Sequence, residues 1–167
     1  MNKDTGERLK RQRQEVKDAG RNPKDYRYDM DTKNPYRIEH TKLGSYAYIL
    51  VNDKDTGLGK EVKVDLSDFY TLRLYSYHWF RSSSDPKKDY PHTNTWDSNG
   101  NLINLLLHVL IMGTVDKKVI DHNDGDHYNA SRSNLNHVTT AQNNQNRHPH
   151  LYPRKKPISA EYVSLYV

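Results

Sequence analysis

Apolar residues in this chain are concentrated in one stretch, about residues 45–113, and a buried core can form only where they gather. The rest of the 167 residues is strongly polar: hydrophobic residues make up 34% and charged residues 28%, with a mean hydropathy of −1.07. That length suits one domain of the usual ~100–150 residues with some trailing sequence. Cysteine is absent, which removes disulfide staples and thiolate zinc sites and fits a reducing compartment. No run approaches the ~18 apolar residues of a membrane span, and the sequence is polar from Asn2 onward, without a signal-peptide core. The expectation is a soluble, cytoplasmic protein with no membrane partner.

Patterning divides the chain further. Residues 1–37 lack an apolar stripe. Glu7 to Asp18 reads as a short charged helix, and Gly20, Pro23 and Pro35 break up the residues after it, so this part reads as an arm. Tyr26, Tyr28 and Tyr36 are expected to pack back on the domain. Ser45 to Val51 is rich in β-formers, Asp53 to Gly59 is turn chemistry and Glu61 to Val64 alternates, which predicts a hairpin. A helical turn over Phe69 to Leu74, capped by Asp65 or Ser67, then leads to a strand at Ser76 to Phe80. A second strand pair, Tyr90 to Thr95 and Leu102 to Leu106, is joined by Asp97-Ser-Asn-Gly100 with a polar tip. Leu105 to Met112 reads as a buried helix closed by Gly113. After it come a short strand into Asp121-His122, a loop over Asn123 to Ser133, a strand at Leu135 to Val138 and a helix at Thr139 to Asn146. Three prolines, Pro149, Pro153 and Pro157, leave the last residues mostly irregular, with a short helix or strand at Ala160 to Val167.

Charge is distributed unevenly. Residues 1–37 carry 11 Lys/Arg against 7 Asp/Glu, residues 38–146 carry 11 against 13, and residues 147–167 carry 4 against 1. An acidic body between basic flanks suits a polyanion held at its phosphates while central carboxylates serve a metal. The same flanks also read as solvated tails.

Two strands and a helix can gather ligands distant in sequence. Asp121 and Asn143 offer hard oxygens suited to Mg²⁺, which takes few protein groups and keeps waters and substrate phosphate. Adjacent residues of a strand face opposite sides, so His122 is expected to face an incoming water while Asp121 faces the metal. An imidazole, with an ordinary pKa near ~6.5, is a suitable proton acceptor at neutral pH.

The run VIDHNDGDHYNASRSNLNHVTTAQNNQNR resembles the HNH endonucleases of the ββα-metal fold, particularly phage and homing-type members, and the likeness is close over about Leu106 to Arg147. VKVDLSDFYTLRLYSYHWF and LLLHVLIMG resemble, more weakly, the sheet and helix that precede the finger in many phage members. The resemblance implies an α+β fold: a small antiparallel sheet followed by a ββα-metal finger at 118–147, within a nuclease domain at 38–147 flanked by a basic arm (1–37) and a basic tail (148–167). It implies that Asp121 and Asn143 bind one divalent ion, Mg²⁺ or Mn²⁺, that His122 deprotonates the attacking water, and that Asn134 braces the finger through hydrogen bonds to backbone. Duplex DNA is the implied substrate, cut to 5′-phosphate and 3′-hydroxyl ends, in the host cytoplasm if the chain is phage-encoded. A monomer would nick, and a double-strand break would need a homodimer or successive nicks. Gly125 matches a glycine turn of the family.

Val109, Asn136 and Ala130 depart from residues frequent in the family, two of them arginines with a possible phosphate role. DNA contacts are therefore expected from Arg132, Arg147, Arg154, Lys155 and Lys156. His108 reads as a hydrogen-bonded core residue, His127 as a loop residue and His137 as an exposed strand residue. A zinc site made from the latter two with His148 and His150 lacks ligand-like spacing. Two alternatives stay open: a non-catalytic DNA-binding protein on a decayed scaffold, and a restriction-type enzyme with the same chemistry.

Overall fold

The apolar run of residues 47–51 does not alternate, because the strand that carries it is covered on both faces. In the computed structural model, which describes residues 3–29, 32–52, 59–83, 85 and 87–147, this strand is the middle one of an antiparallel sheet. The sheet is β1 (Tyr36–Thr41), β2 (Gly44–Asn52) and β3 (Gly59–Asp65), in that order. Ala47, Ile49 and Val51 enter the main core with Tyr36, Val62, Val64, Phe69, Trp79, Leu107 and Leu135. Leu50 points the other way, onto Val16 and Tyr26.

That second contact corrects the reading of residues 1–37 as an arm. Helix α1 (Lys3–Asp18) docks through a single apolar side chain, Val16, which is fully buried. Its other attachments are polar. Arg8 donates to the Thr32 carbonyl (3.1 Å) and Gln12 to the Lys33 carbonyl (3.2 Å), while Arg21 pairs with Glu61 (2.9 Å). One apolar anchor makes no stripe, so the helix looked unattached in sequence. Strand β1 was not anticipated either. It is an edge strand in which burial falls from Tyr36 to an exposed end, leaving little alternation to read.

Helix α2 (Leu66–Thr71) comes directly after β3, with Asp65 at its N-cap but no side-chain cap bond. The Asp65 carboxylate instead accepts the Arg132 backbone N–H at 2.9 Å. The strand expected at Ser76 to Phe80 is a 3-10 turn over Leu74–Ser76 and a single bridge from Phe80 to His92. Trp79 causes the difference: it is buried, its indole donates to the Leu74 carbonyl (2.8 Å), and Asn34 clamps its backbone N–H (2.8 Å) and carbonyl (3.1 Å). A segment tied down in this way has no free edge to extend.

Strands β4 (His92–Trp96) and β5 (Leu102–Leu106) form a second hairpin, turned through Asp97, which accepts from the Asn99 and Asn101 backbone. Its end is less polar than expected, since the cross-strand pair Trp96 and Leu102 is 68% and 60% exposed. Helix α3 (Leu107–Met112) ends at Gly113, whose N–H donates to the Val109 carbonyl and whose φ of +68° with ψ of 179° is open to glycine but is not the left-handed cap expected. Strands β6 (Val119–His122) and β7 (Leu135–Val138) then pair antiparallel, and α4 (Thr140–Arg147) packs against β6. The loop between β6 and β7 returns to β3: Lys63 donates to the Tyr128 carbonyl and accepts from the Ala130 N–H, each at 2.8 Å. The fold is α+β, with three small antiparallel sheets among the described residues. No described helix is long and apolar enough to cross a membrane.

Candidate functional site

Register sets the site. In the β6–β7 pair Asp121 lies opposite Asn136 and His122 opposite Leu135. Alternation sends Asp121 and His122 to opposite faces, and both faces are covered: the two residues are 5% and 3% exposed. His122, expected to face an incoming water, is thus enclosed in the structure. It sits among rings contributed by three separate segments. His108 of α3 meets it edge-on at 5.0 Å between centres, His127 of the loop lies at 5.4 Å, and Tyr90 at 6.1 Å.

Burial in this cluster pushes the His122 pKa down to about 3, helped by the neighbouring His108 and His127 and opposed by Asp124. Burial and His127 likewise push His108 down to about 4. The physical cause is the loss of water around a charged imidazolium. Both rings are neutral at pH 7, and a neutral imidazole has a nitrogen lone pair able to accept a proton. Nδ1 of His108 is buried without a hydrogen-bond partner among the described residues, so His108 is in the core as expected but not bonded there at that atom.

Asn134 holds the loop after His122. Its side-chain oxygen accepts the Asp124 backbone N–H (3.1 Å), and its amide donates to the Asp124 carboxylate (2.9 Å) and the Asn129 carbonyl (2.8 Å). Its own carbonyl accepts the Asn123 N–H (2.8 Å). Gly125, with φ +75°, makes the bend and donates to the His122 carbonyl (2.9 Å). Burial works against a charged Asp124, but hydrogen bonds from Asn129, the Asp126 backbone and Asn134 outweigh it and hold its pKa below the usual range.

A second support comes from residues distant in sequence. Asp89 is 1% exposed, its carboxylate held by Arg81 (2.8 Å) and the Tyr128 hydroxyl (2.7 Å). Its carbonyl meets Nδ1 of His127 at 3.0 Å, and the His127 ring stacks on Tyr90 at 3.9 Å. None of these residues has a spacing that links it to His122, so only the fold brings them there. His137 is also not the exposed strand residue expected. It is 5% exposed, and its Nε2 donates to the Gly113 carbonyl (3.0 Å), tying β7 to the end of α3.

Asn143 is half-buried on α4, the helix packed against the strand that bears Asp121. Arg132, expected on DNA, grips the Asp68 carboxylate through Nε (2.8 Å) and Nη2 (2.9 Å). It pins the turn before β7 to α2, a use that needs no phosphate. Asn136, where a basic residue was looked for, is 2% exposed and donates to Asn123, so the position faces inward. Arg147 ends α4. Arg154, Lys155 and Lys156, with the Ala160 to Val167 segment, lie outside the described residues.

Comparison with protein-family models, with curated proteins and with solved structures finds no match.

The donor set around β6 is a carboxylate and an amide from two packed elements. Among the described residues no group of three or more His, Asp or Glu is arranged to hold a metal.

Proposed function

We propose that the protein is a metal-dependent DNA endonuclease of the HNH type that hydrolyses phosphodiester bonds in duplex DNA. The observation that carries this reading is His122: a neutral imidazole seated beside Asp121 on β6, in a hairpin braced by Asn134 and followed by a helix bearing Asn143. These elements are in the order of a ββα-metal finger.

In this reading Asp121 and Asn143 hold one Mg²⁺ or Mn²⁺. When bound, the ion stabilises charge at the scissile phosphate and the leaving 3′ oxygen. His122 accepts the proton of the attacking water at a ring nitrogen. Its depressed pKa keeps it unprotonated at neutral pH and also makes it a weaker base than an ordinary imidazole. Asn134 fixes the loop and, through it, the imidazole. The rings of Tyr90, His108 and His127 limit water around the base and set its orientation.

Supercoiled plasmid with Mg²⁺ tests the proposal. The wild type should produce nicked circles, EDTA should abolish them, and His122→Ala should lose at least about a hundredfold in rate. Unchanged nicking by that variant removes His122 from the role of base. The deep burial of His122 and the Asp68 grip on Arg132 favour one rival, a DNA-binding protein that does not cut. That rival predicts DNA retention with no Mg²⁺-dependent nicking.

A further inference from the structure

His127 is built into the site from two sides. Its ring lies nearly parallel to Tyr90, 3.9 Å away with 14° between planes. Its Nδ1 lies 3.0 Å from the Asp89 carbonyl oxygen. A carbonyl only accepts, so Nδ1 carries the proton, and Nε2 of the neutral ring is an acceptor. Asp89 is a firm anchor, because Arg81 and Tyr128 hold its buried side chain. The His127 ring is half-buried and is centred 5.4 Å from that of His122. One water bonded to a nitrogen of each ring would lie about 2.8 Å from both, a span that this separation allows.

We propose that His127 is a second acceptor for the attacking water: one O–H points to His122, the other to Nε2 of His127, and an oxygen lone pair turns toward the scissile phosphorus. The inference rests on the endonuclease reading and adds a residue to it. As the water attacks, the O–H bond facing His122 breaks and its proton passes to that imidazole. A P–O bond forms to the incoming oxygen, and the bond to the 3′ oxygen breaks. The 3′ oxygen leaves with the bonding pair and takes a proton from solvent. The second water proton stays on the new phosphate oxygen until it too is lost to solvent. His127 holds this proton's direction but gains no proton, so its contribution is geometric.

Two variants and one spectrum test this. His127→Gln keeps a side-chain oxygen near the Nε2 position, whereas His127→Leu keeps bulk without an acceptor. Plasmid nicking in Mg²⁺ should fall at least about tenfold in kcat for His127→Leu and largely recover for His127→Gln, because alignment of the nucleophile is lost only in the first. DNA binding measured in EDTA should be the same for both. Independently of activity, ¹⁵N spectra of the metal-free wild type should show a protonated Nδ1 and an acceptor Nε2 on His127. Wild-type kcat in His127→Leu, equal impairment of both variants, or a proton on Nε2 each overturns the proposal. A wild type that fails to nick removes the endonuclease reading and this inference with it. A wild type that nicks and is silenced by His122→Ala keeps that reading, and the His127 variants then decide this inference alone.

Discussion

Two buried imidazoles make the molecule acid-sensitive at the scale of single residues. His108 has its pKa pushed from 6.5 down to about 4 by burial and by His127, so between these values the unfolded chain binds a proton that the native state refuses. Its contribution to stability is fully present above pH 6.5 and is lost as pH falls toward 4. At ~1.4 kcal/mol per unit, this is on the order of 3–4 kcal/mol for one residue. His122 acts in the same direction over a wider range, down to about pH 3. Urea midpoints measured at pH 7 and pH 5 should show the loss in the wild type and a smaller loss in His108→Phe. Phenylalanine is tolerated at pH 7 because Nδ1 has no partner to forfeit among the described residues. An acid response undiminished in His108→Phe would place its origin elsewhere. At this scale the bracing of the 123–131 loop by Asn134 was legible, because its bonds to Asp124 and Asn129 lie within one short stretch of chain. The sequence was silent about Asp89, Tyr90 and His127, because a ring stack and a bond to a main-chain carbonyl have no sequence spacing.

Between elements, polar side chains do much of the joining, and this decides what Arg132 does. Its guanidinium is committed to Asp68 and its backbone N–H to Asp65, so the turn before β7 is fastened to α2 at two points. Arg132→Ala should lower the thermal midpoint and leave the salt dependence of DNA binding unchanged. A phosphate contact would instead reduce that slope by ~0.9. The junction of α1 with the sheet is tighter still. A Cβ at Gly59 would lie 2.7 Å from Asn52 Oδ1, 2.8 Å from Leu50 Cδ1 and 2.9 Å from Ala19 Cβ. Gly59→Ala should therefore cost about 1–3 kcal/mol as overpacking, with faster amide exchange along α1; protection equal to wild type would count against the docking. The paired strands of both hairpins, β6, β7 and the last two helices could be read from periodicity and turn chemistry, since local signals specify them. Strand β1 and the docking of α1 could not, because each relies on one or two apolar contacts made across the fold.

Across the whole molecule, the DNA contacts of the proposed endonuclease are assigned to the ends of the chain. The central body is slightly acidic, and Arg132 and position 136 are engaged internally. Replacing Arg154, Lys155 and Lys156 together by alanine should reduce the salt slope by ~0.9 for each phosphate no longer neutralised, with the thermal midpoint unchanged. An unaltered slope would assign phosphate binding to other residues. The pairing of the 123–131 loop with β3 at Lys63 has a further consequence. An open strand edge invites pairing with another chain, and here the segment that frames His122 also shields part of that edge. Variants that loosen the loop, Asn134→Ala among them, would then be recovered less often from the soluble fraction, so that loss of protein to aggregation and loss of catalysis arise from one defect.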